Sequence, residues 1–235
     1  MKAIVTRNLR KVYKTGEIEV EALAGVDLDV DEGDFVLVSG PSGSGKTTLL
    51  NVLGALDRPT SGQVTVLGRD VSDLSDDELS DLRLRTIGFV FQSYNLIPTL
   101  TAYENIEFPM VLSGKTENER REKVEDLLGL VGLENRGRNK PDQLSGGEQQ
   151  RIAVARALAN DPKIILADEP TGNLDTRSST KVFSLLREVN EELFVTIITV
   201  SHDPKFLQHC RRGVVIVDGR VTDQGPAASW GGVAG

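Results

Sequence analysis

Hydrophobic positions along the chain change rhythm after residue 34. Before it, Ile18, Val20 and Ala22, then Val26, Leu28 and Val30, alternate with polar neighbours, and a period of two predicts a half-exposed antiparallel ribbon or sheet. Residues 35–38 (FVLV) form instead a continuous apolar run that ends in a glycine-rich turn, and residues 46–53 follow with helical character. A run that is apolar on both faces marks a buried parallel strand, and strand, glycine turn and helix in that order is how such a strand feeds a helix. Similar runs recur at 87–91, 164–167, 195–200 and 214–217. Apolar strands alternating with helical segments predict a layered α/β domain built on a mostly parallel sheet.

Three Ser/Thr-x-x-Glu pairs, Ser75 with Glu78, Thr101 with Glu104 and Thr116 with Glu119, predict helix starts, because each pair can satisfy two free backbone N–H groups reciprocally. Val124, Leu127, Leu128 and Val131 then fall at helical spacing, with Gly132 as a stop. No long β run interrupts 92–163. The spacing therefore predicts a helical subdomain over 93–160, inserted into an α/β core made of 1–92 and 161–223. Residues 224–235 are small and polar apart from Trp230 and read as a mobile tail.

Composition narrows the classes. A chain of 235 residues with net charge −8 is long enough for a sizeable core and is neither disordered nor fibrous. Its lone cysteine, Cys210, forms no internal disulfide and no thiolate metal site, which points to a reducing, cytosolic compartment. The longest apolar runs, VTIITV at 195–200 and GVVIV at 213–217, fall far short of the about 20 residues that span a bilayer. The N-terminal MKAIVTRNLRK is broken by charge before a signal-peptide core could form. The acidic balance argues against nucleic acid as a partner. Six acidic residues from Asp70 to Asp81 read as a solvated helix or loop.

Three motifs carry chemistry. Gly40, Pro41, Ser42, Gly43, Ser44, Gly45, Lys46 and Thr47 fit G-x-x-x-x-G-K-[ST] between an apolar strand and a helix, the context the motif requires. Glycines let successive N–H groups curl around phosphate oxygens, Lys46 reaches the outer phosphates, and Thr47 can ligate Mg²⁺. A second apolar run, IILA, ends in Asp168 and Glu169. Strand alternation points the two carboxylates to opposite sides, so Asp168 suits Mg²⁺, directly or through water, and Glu169 suits a general base on an attacking water. The third motif is Leu144-Ser145-Gly146-Gly147-Glu148. Ser145 and Glu148 have capping-box spacing, but Gly146 and Gly147 in a first helical turn cost up to about 1 kcal/mol each relative to alanine. That cost implies close approach of another group to the backbone, and an open helix N-terminus with a serine hydroxyl is a second anion site.

With these elements in this order the chain resembles the ATP-binding cassette (ABC) ATPases, whose signature is LSGGQ or LSGGE. Tyr13 in KVYKTG, Gln92 after an apolar run, Asn173-Leu174-Asp175 beyond Glu169, and His202 after VTIITVS extend the resemblance over 1–223. It implies a P-loop NTPase core with an N-terminal antiparallel β subdomain and a helical signature subdomain, working on ATP with Mg²⁺. It further implies a head-to-tail homodimer in which each ATP lies between the 40–47 loop of one copy and Ser145, Gly146, Gly147 and Glu148 of the other, which explains two anion sites beside one phosphate loop. By the same resemblance Tyr13 stacks on adenine and Thr48 touches an inner phosphate. Gln92 meets Mg²⁺ or the attacking water, His202 contacts the γ-phosphate, and Asp175 crosses the dimer interface.

Departures are few: Glu148 stands where glutamine is commoner, and Gly172-Asn173 where many members have serine-alanine. FQSYNLIPTLTAYENIEFPM at 91–110 and TGNLDTRSS at 171–179 are similar to the lipoprotein-releasing and macrolide-export branch, with the cell-division branch close by. That likeness implies a subunit on the inner face of the membrane that powers separate integral permease subunits, or transmits force through them. A soluble repair or translation ATPase would carry a long coiled-coil insertion or a second cassette, and a small-molecule kinase leaves LSGGE without a purpose.

Overall fold

The computed structural model describes residues 1–16, 18–201 and 204–226; His202 and the segment from 227 onward, Trp230 included, lie outside them. Strands β1 (Lys2–Thr15) and β2 (Ile18–Asp31) pair antiparallel as the alternation predicts. Leu23, Val26, Leu28 and Val30 are buried, while Ile18 and Val20 at the tip are exposed. The β1 partner is hidden in the sequence because its register slips between Thr6 and Leu9, where Asn8 turns left-handed at φ +46°, and each slip moves side chains to the other face.

Strand β3 (Phe35–Ser39) leads through the glycine turn to α1 (Lys46–Leu53). Strands β4 (Ser61–Val66) and β5 (Arg69–Asp70) complete a four-stranded antiparallel sheet of order β2-β1-β4-β5. Then come α2 (Asp76–Thr86), β6 (Ile87–Phe91), α3 (Ala102–Leu112), α4 (Glu117–Leu130), α5 (Gly146–Leu158), β7 (Ile164–Asp168), α6 (Thr176–Leu193), β8 (Thr196–Val200), β9 (Arg212–Val217) and β10 (Arg220–Pro226). The second sheet has the order β10-β9-β3-β8-β7-β6 and is parallel from β9 to β6.

That sheet is covered on both faces. Phe35 and Leu37 of β3, with Ile165 and Ala167 of β7, face a core shared with α3 to α6. Val36, Val38, Ile164 and Leu166 face a core shared with α1, α2 and the antiparallel sheet. Burial on both faces is why these strands read as continuous apolar runs instead of alternating ones. Strand β10 corrects one expectation. Residues 224–226, expected to begin a tail, continue the antiparallel ladder, with Gln224 opposite Val214 and Pro226 opposite Arg212. Backbone pairing at a sheet edge needs no apolar signature, so composition could not reveal it.

All three predicted capping boxes form, at Ser75, Thr101 and Thr116, and the acidic run supplies Asp76, Asp77 and Glu78 to the first turn of α2, where they oppose the helix dipole. Helices α3 to α5 fall between β6 and β7 and pack on one another, with α5 also against β6 and α6. Cys210 is buried and contacts the carbonyl of Phe206. Asn105, fully buried in α3, accepts from Ile97 N–H and donates to the carbonyls of Ile97, Leu100 and Thr101, so it shapes the loop between β6 and α3. Asn105→Ala leaves those groups unpaired inside the protein, and urea titration is expected to show a loss of about 2–3 kcal/mol in unfolding free energy. A loss below about 0.5 kcal/mol contradicts that structural role.

Candidate functional site

The phosphate loop is shaped by its glycines. Gly40 (φ +146°), Gly43 (φ +78°) and Gly45 (φ +101°) all take backbone angles that side chains disfavour. Space also excludes a side chain at two of them: a Cβ on Gly40 would lie 2.0 Å from the Ile216 carbonyl oxygen, and one on Gly45 2.2 Å from that of Ala22. Gly45 is the N-cap of α1, and no side chain caps that helix start. The loop thus joins a helix N-terminus to a run of backbone N–H groups, an anion cradle by construction. Ser44 Oγ is buried within it and makes no hydrogen bond among the described residues.

Lys46, only 5% exposed, donates to the carbonyls of Gly40 (3.0 Å) and Pro41 (2.7 Å). Burial lowers its pKa, and the negative charges of Glu169 and Asp168 oppose that shift. Thr47 Oγ1 donates to Asp168 Oδ1 at 3.2 Å, which joins α1 to the end of β7. A hydroxyl beside a carboxylate is the hard-oxygen pair that magnesium takes from a protein, and the ion's remaining positions belong to water and substrate phosphates. The donor set therefore fits Mg²⁺, although among the described residues no three His, Cys, Asp or Glu side chains cluster.

Glu169 departs from the simple strand argument. β7 ends at Asp168, and Glu169 follows at φ +44°, a left-handed backbone, with its N–H donating to the Val200 carbonyl at 3.1 Å. Its orientation is set by that turn and not by strand alternation, and strain of this kind gathers at functional sites. Phe91 pairs in register with Asp168, so Gln92 and Glu169 leave neighbouring strands at one level. Gln92 Nε2 donates to Asn173 Oδ1 (3.3 Å), and Asn173 Nδ2 donates back to the Gln92 carbonyl (3.2 Å). Gly172 leaves room for this pair, since its Cβ would lie 2.7 Å from Gln92 Nε2. Loops from β3, β7 and β6 thus meet at the carboxyl edge of a parallel sheet, where such folds bind ligands.

Tyr13 lies on β1, its hydroxyl donating to Asp57 Oδ2 at 2.9 Å, with Lys11 Nζ 4.9 Å from the ring centroid. Burial raises its pKa, and the nearby Thr48 side chain works against that rise, which places Thr48 beside Tyr13 next to the phosphate loop. His202 lies outside the described residues.

The signature turn stands apart. Ser145 caps α5 and exchanges hydrogen bonds with Glu148, whose carboxylate is held below the usual range by Ser145 and reaches Arg136 Nε at 3.3 Å. No hydrogen bond or ion pair joins residues 145–148 to residues 40–47 among those described. The glycines have a cause within the chain: a Cβ on Gly146 would lie 2.7 Å from Tyr94 Oη, and one on Gly147 2.9 Å from Ser178 Oγ. The close approach inferred from sequence is thus met by Tyr94 and Ser178 of the same chain, so the glycine cost by itself does not call for an outside group. Asp175 caps α6, accepting from Ser178 N–H (3.0 Å) and Ser178 Oγ (2.7 Å). Asn173 and Tyr94 were missed as site residues because their parts are set by loop conformation, which residue spacing does not encode.

The chain is similar to known proteins along most of its length. The ABC transporter family profile matches residues 23–172. The lipoprotein-releasing system ATP-binding protein LolD of Anaeromyxobacter dehalogenans is 50% identical over 219 residues, 93% of this chain and 92% of that protein. The macrolide export ATP-binding/permease protein MacB of Syntrophobacter fumaroxidans is 49% identical over 97% of this chain, which spans only 32% of that longer protein. Among solved structures, the dimeric ATP-binding cassette MJ0796 of Methanocaldococcus jannaschii, in a post-hydrolysis state with ADP and Pi, superposes with a TM-score of 0.89 at 45% identity, covering 95% of this chain and 98% of that one. The chain belongs to the ABC transporter family, as one of its ATP-binding, ATP-hydrolysing cassettes.

Proposed function

We propose that this cassette works as a head-to-tail homodimer on the inner face of a membrane and powers separate permease subunits of the lipoprotein-releasing or macrolide-export type. The observation that carries this reading is the match to LolD along 92% of that protein's length, joined by the match of MacB's ATP-binding part. No helix among the described residues is long and apolar enough to cross a membrane. A groove of about 710 Å³ between β6 and α3, lined by Phe89, Phe91, Phe108, Leu112 and Arg156, adjoins the loop that holds Gln92. Phe108 (42% exposed), Leu112 (59%) and Leu56 (48%) border it, and such an apolar rim suits a partner helix.

In this reading the domain divides into a core of 1–92 and 161–223 and a signature subdomain of 93–160. The 40–45 backbone and Lys46 bind the ATP phosphates, Thr48 contacts an inner phosphate, and Tyr13 stacks on adenine. Thr47, Asp168 and Gln92 would hold Mg²⁺, which when bound would neutralise charge on the phosphates. Glu169 takes a proton from the attacking water, Gln92 orients that water, and His202 contacts the γ-phosphate. Ser145, Gly146, Gly147 and Glu148 of the second copy close the site, and Asp175 crosses the interface. ATP then joins the copies, hydrolysis parts them, and the difference in affinity between the two states moves the permease.

The test is a tagged pull-down from gently solubilised native membranes, with Leu112→Asp as the control. Recovery of a multi-spanning protein by the native chain, and its loss by Leu112→Asp, is the expected result. Recovery of ribosomal or DNA-associated proteins alone would overturn the membrane reading.

A further inference from the structure

We propose that Arg156 is a positioning residue for ATP hydrolysis, locking the loop that carries Gln92 onto the helix that begins after Ser145. The inference deepens the reading of Gln92 given above and rests on it. Arg156 stands in the last turn of α5, and its guanidinium donates through Nη1 to the carbonyl of Asn95 (2.5 Å) and through Nη2 to that of Tyr94 (2.9 Å). No acidic side chain among the described residues pairs with it, and burial alone pulls its pKa down. A half-buried cation without a carboxylate is retained where its planar fork meets acceptors of matching geometry, and here two consecutive backbone carbonyls supply them.

Those carbonyls belong to a strained turn. Tyr94 (φ +62°) and Asn95 (φ +48°) are adjacent and both left-handed, a backbone that residues bearing a Cβ adopt only when the surroundings impose it. Arg156 binds both residues of that pair. Tyr94 also reaches the other end of the same helix, where its hydroxyl takes the space a Gly146 side chain would need. Residues 146 and 156 are about 15 Å apart along α5 at 1.5 Å per residue, so the loop is strapped to the helix at both ends. Gln92 lies two residues before Tyr94 and is tied at its other side to Asn173, in the loop that follows Glu169. Arg156 also lines the groove beside Phe108 and Leu112. One side chain therefore touches the groove, the Gln92 loop and the signature helix, and sets where Gln92 stands without meeting substrate.

The experiment is a double-mutant cycle on Mg-ATP turnover by the full chain, with Arg156→Met in the native and Gln92→Ala backgrounds. Displacing a catalytic group by about 1 Å costs up to about 10²-fold, so Arg156→Met is expected to lower kcat about tenfold or more with KM changed less than about threefold. Arg156→Lys is expected to recover little, since one ammonium does not reproduce a fork across two carbonyls. In the Gln92→Ala background the same Arg156→Met change is expected to lower kcat less than about twofold, because the residue it acts through is gone. Equal loss in both backgrounds would overturn the proposal while leaving the Gln92 reading intact. An unaltered kcat in Gln92→Ala alone would instead overturn that reading and the proposal with it. Should Arg156→Met fail to fold, Arg156→Lys carries the same cycle.

Discussion

Glu169→Gln is expected to bind ATP as the native chain does and to turn it over about 10²- to 10⁴-fold more slowly. The amide keeps the size and the hydrogen-bonding reach of the carboxylate but no longer accepts a proton, and a positioned general base contributes that factor. At about 1.4 kcal/mol per decade this is about 3–5.5 kcal/mol of transition-state stabilisation. The charge of Glu169 raises the pKa of Lys46, and the amide removes that charge while leaving the glycine backbone of the phosphate loop in place. Phosphate release under saturating Mg-ATP gives kcat, and titration with a fluorescent ATP analogue gives the affinity. Turnover at the native rate would refute the base assignment and move that role to another group at the strand ends.

Ser145→Arg is expected to reduce turnover by at least about 10²-fold for a different reason, with ATP binding by the single copy within about threefold of native. Ser145 is remote from its own phosphate loop in hydrogen bonding and ion pairing, and its capping box with Glu148 is local. In the proposed head-to-tail dimer a change there acts on the partner's nucleotide. A long side chain at a helix start meant to close on a second copy keeps the two surfaces apart. Ser145→Ala separates this effect from the cap itself, which accounts for about 1 kcal/mol of helix stability and no steric block. ATP-dependent association of Ser145→Arg at the native level would contradict the composite site.

Most of the α/β core was legible because its physics is local. The runs at 87–91 and 164–167 are apolar on both faces since the sheet is covered on both, and the Thr101 and Thr116 capping boxes mark the starts of α3 and α4 directly. The parts that escaped depend on backbone conformation or on distant partners. β1 slips register at a left-handed Asn8, β10 pairs through its backbone, and Glu169 leaves its strand by a left-handed turn. The amphipathic α6 carries Val182, Phe183, Leu186 and Val189 at helical spacing, a signal that the sequence also holds. In the site, residue types announced Lys46, Thr47 and Asp168, whereas Tyr94, Asn173 and Arg156 come into view only once the loops are placed.

In the proposed mechanism two copies of this chain enclose ATP between them. Light scattering on Glu169→Gln, with and without ATP, tests it most directly, since slowed hydrolysis lets the ATP-bound state accumulate. The expected mass is that of one 25.5 kDa chain without nucleotide, close to twice that value with Mg-ATP, and again that of one chain when Ser145→Arg is added. A single-chain mass at saturating ATP, or an undiminished ATP-dependent dimer in the double variant, would contradict it.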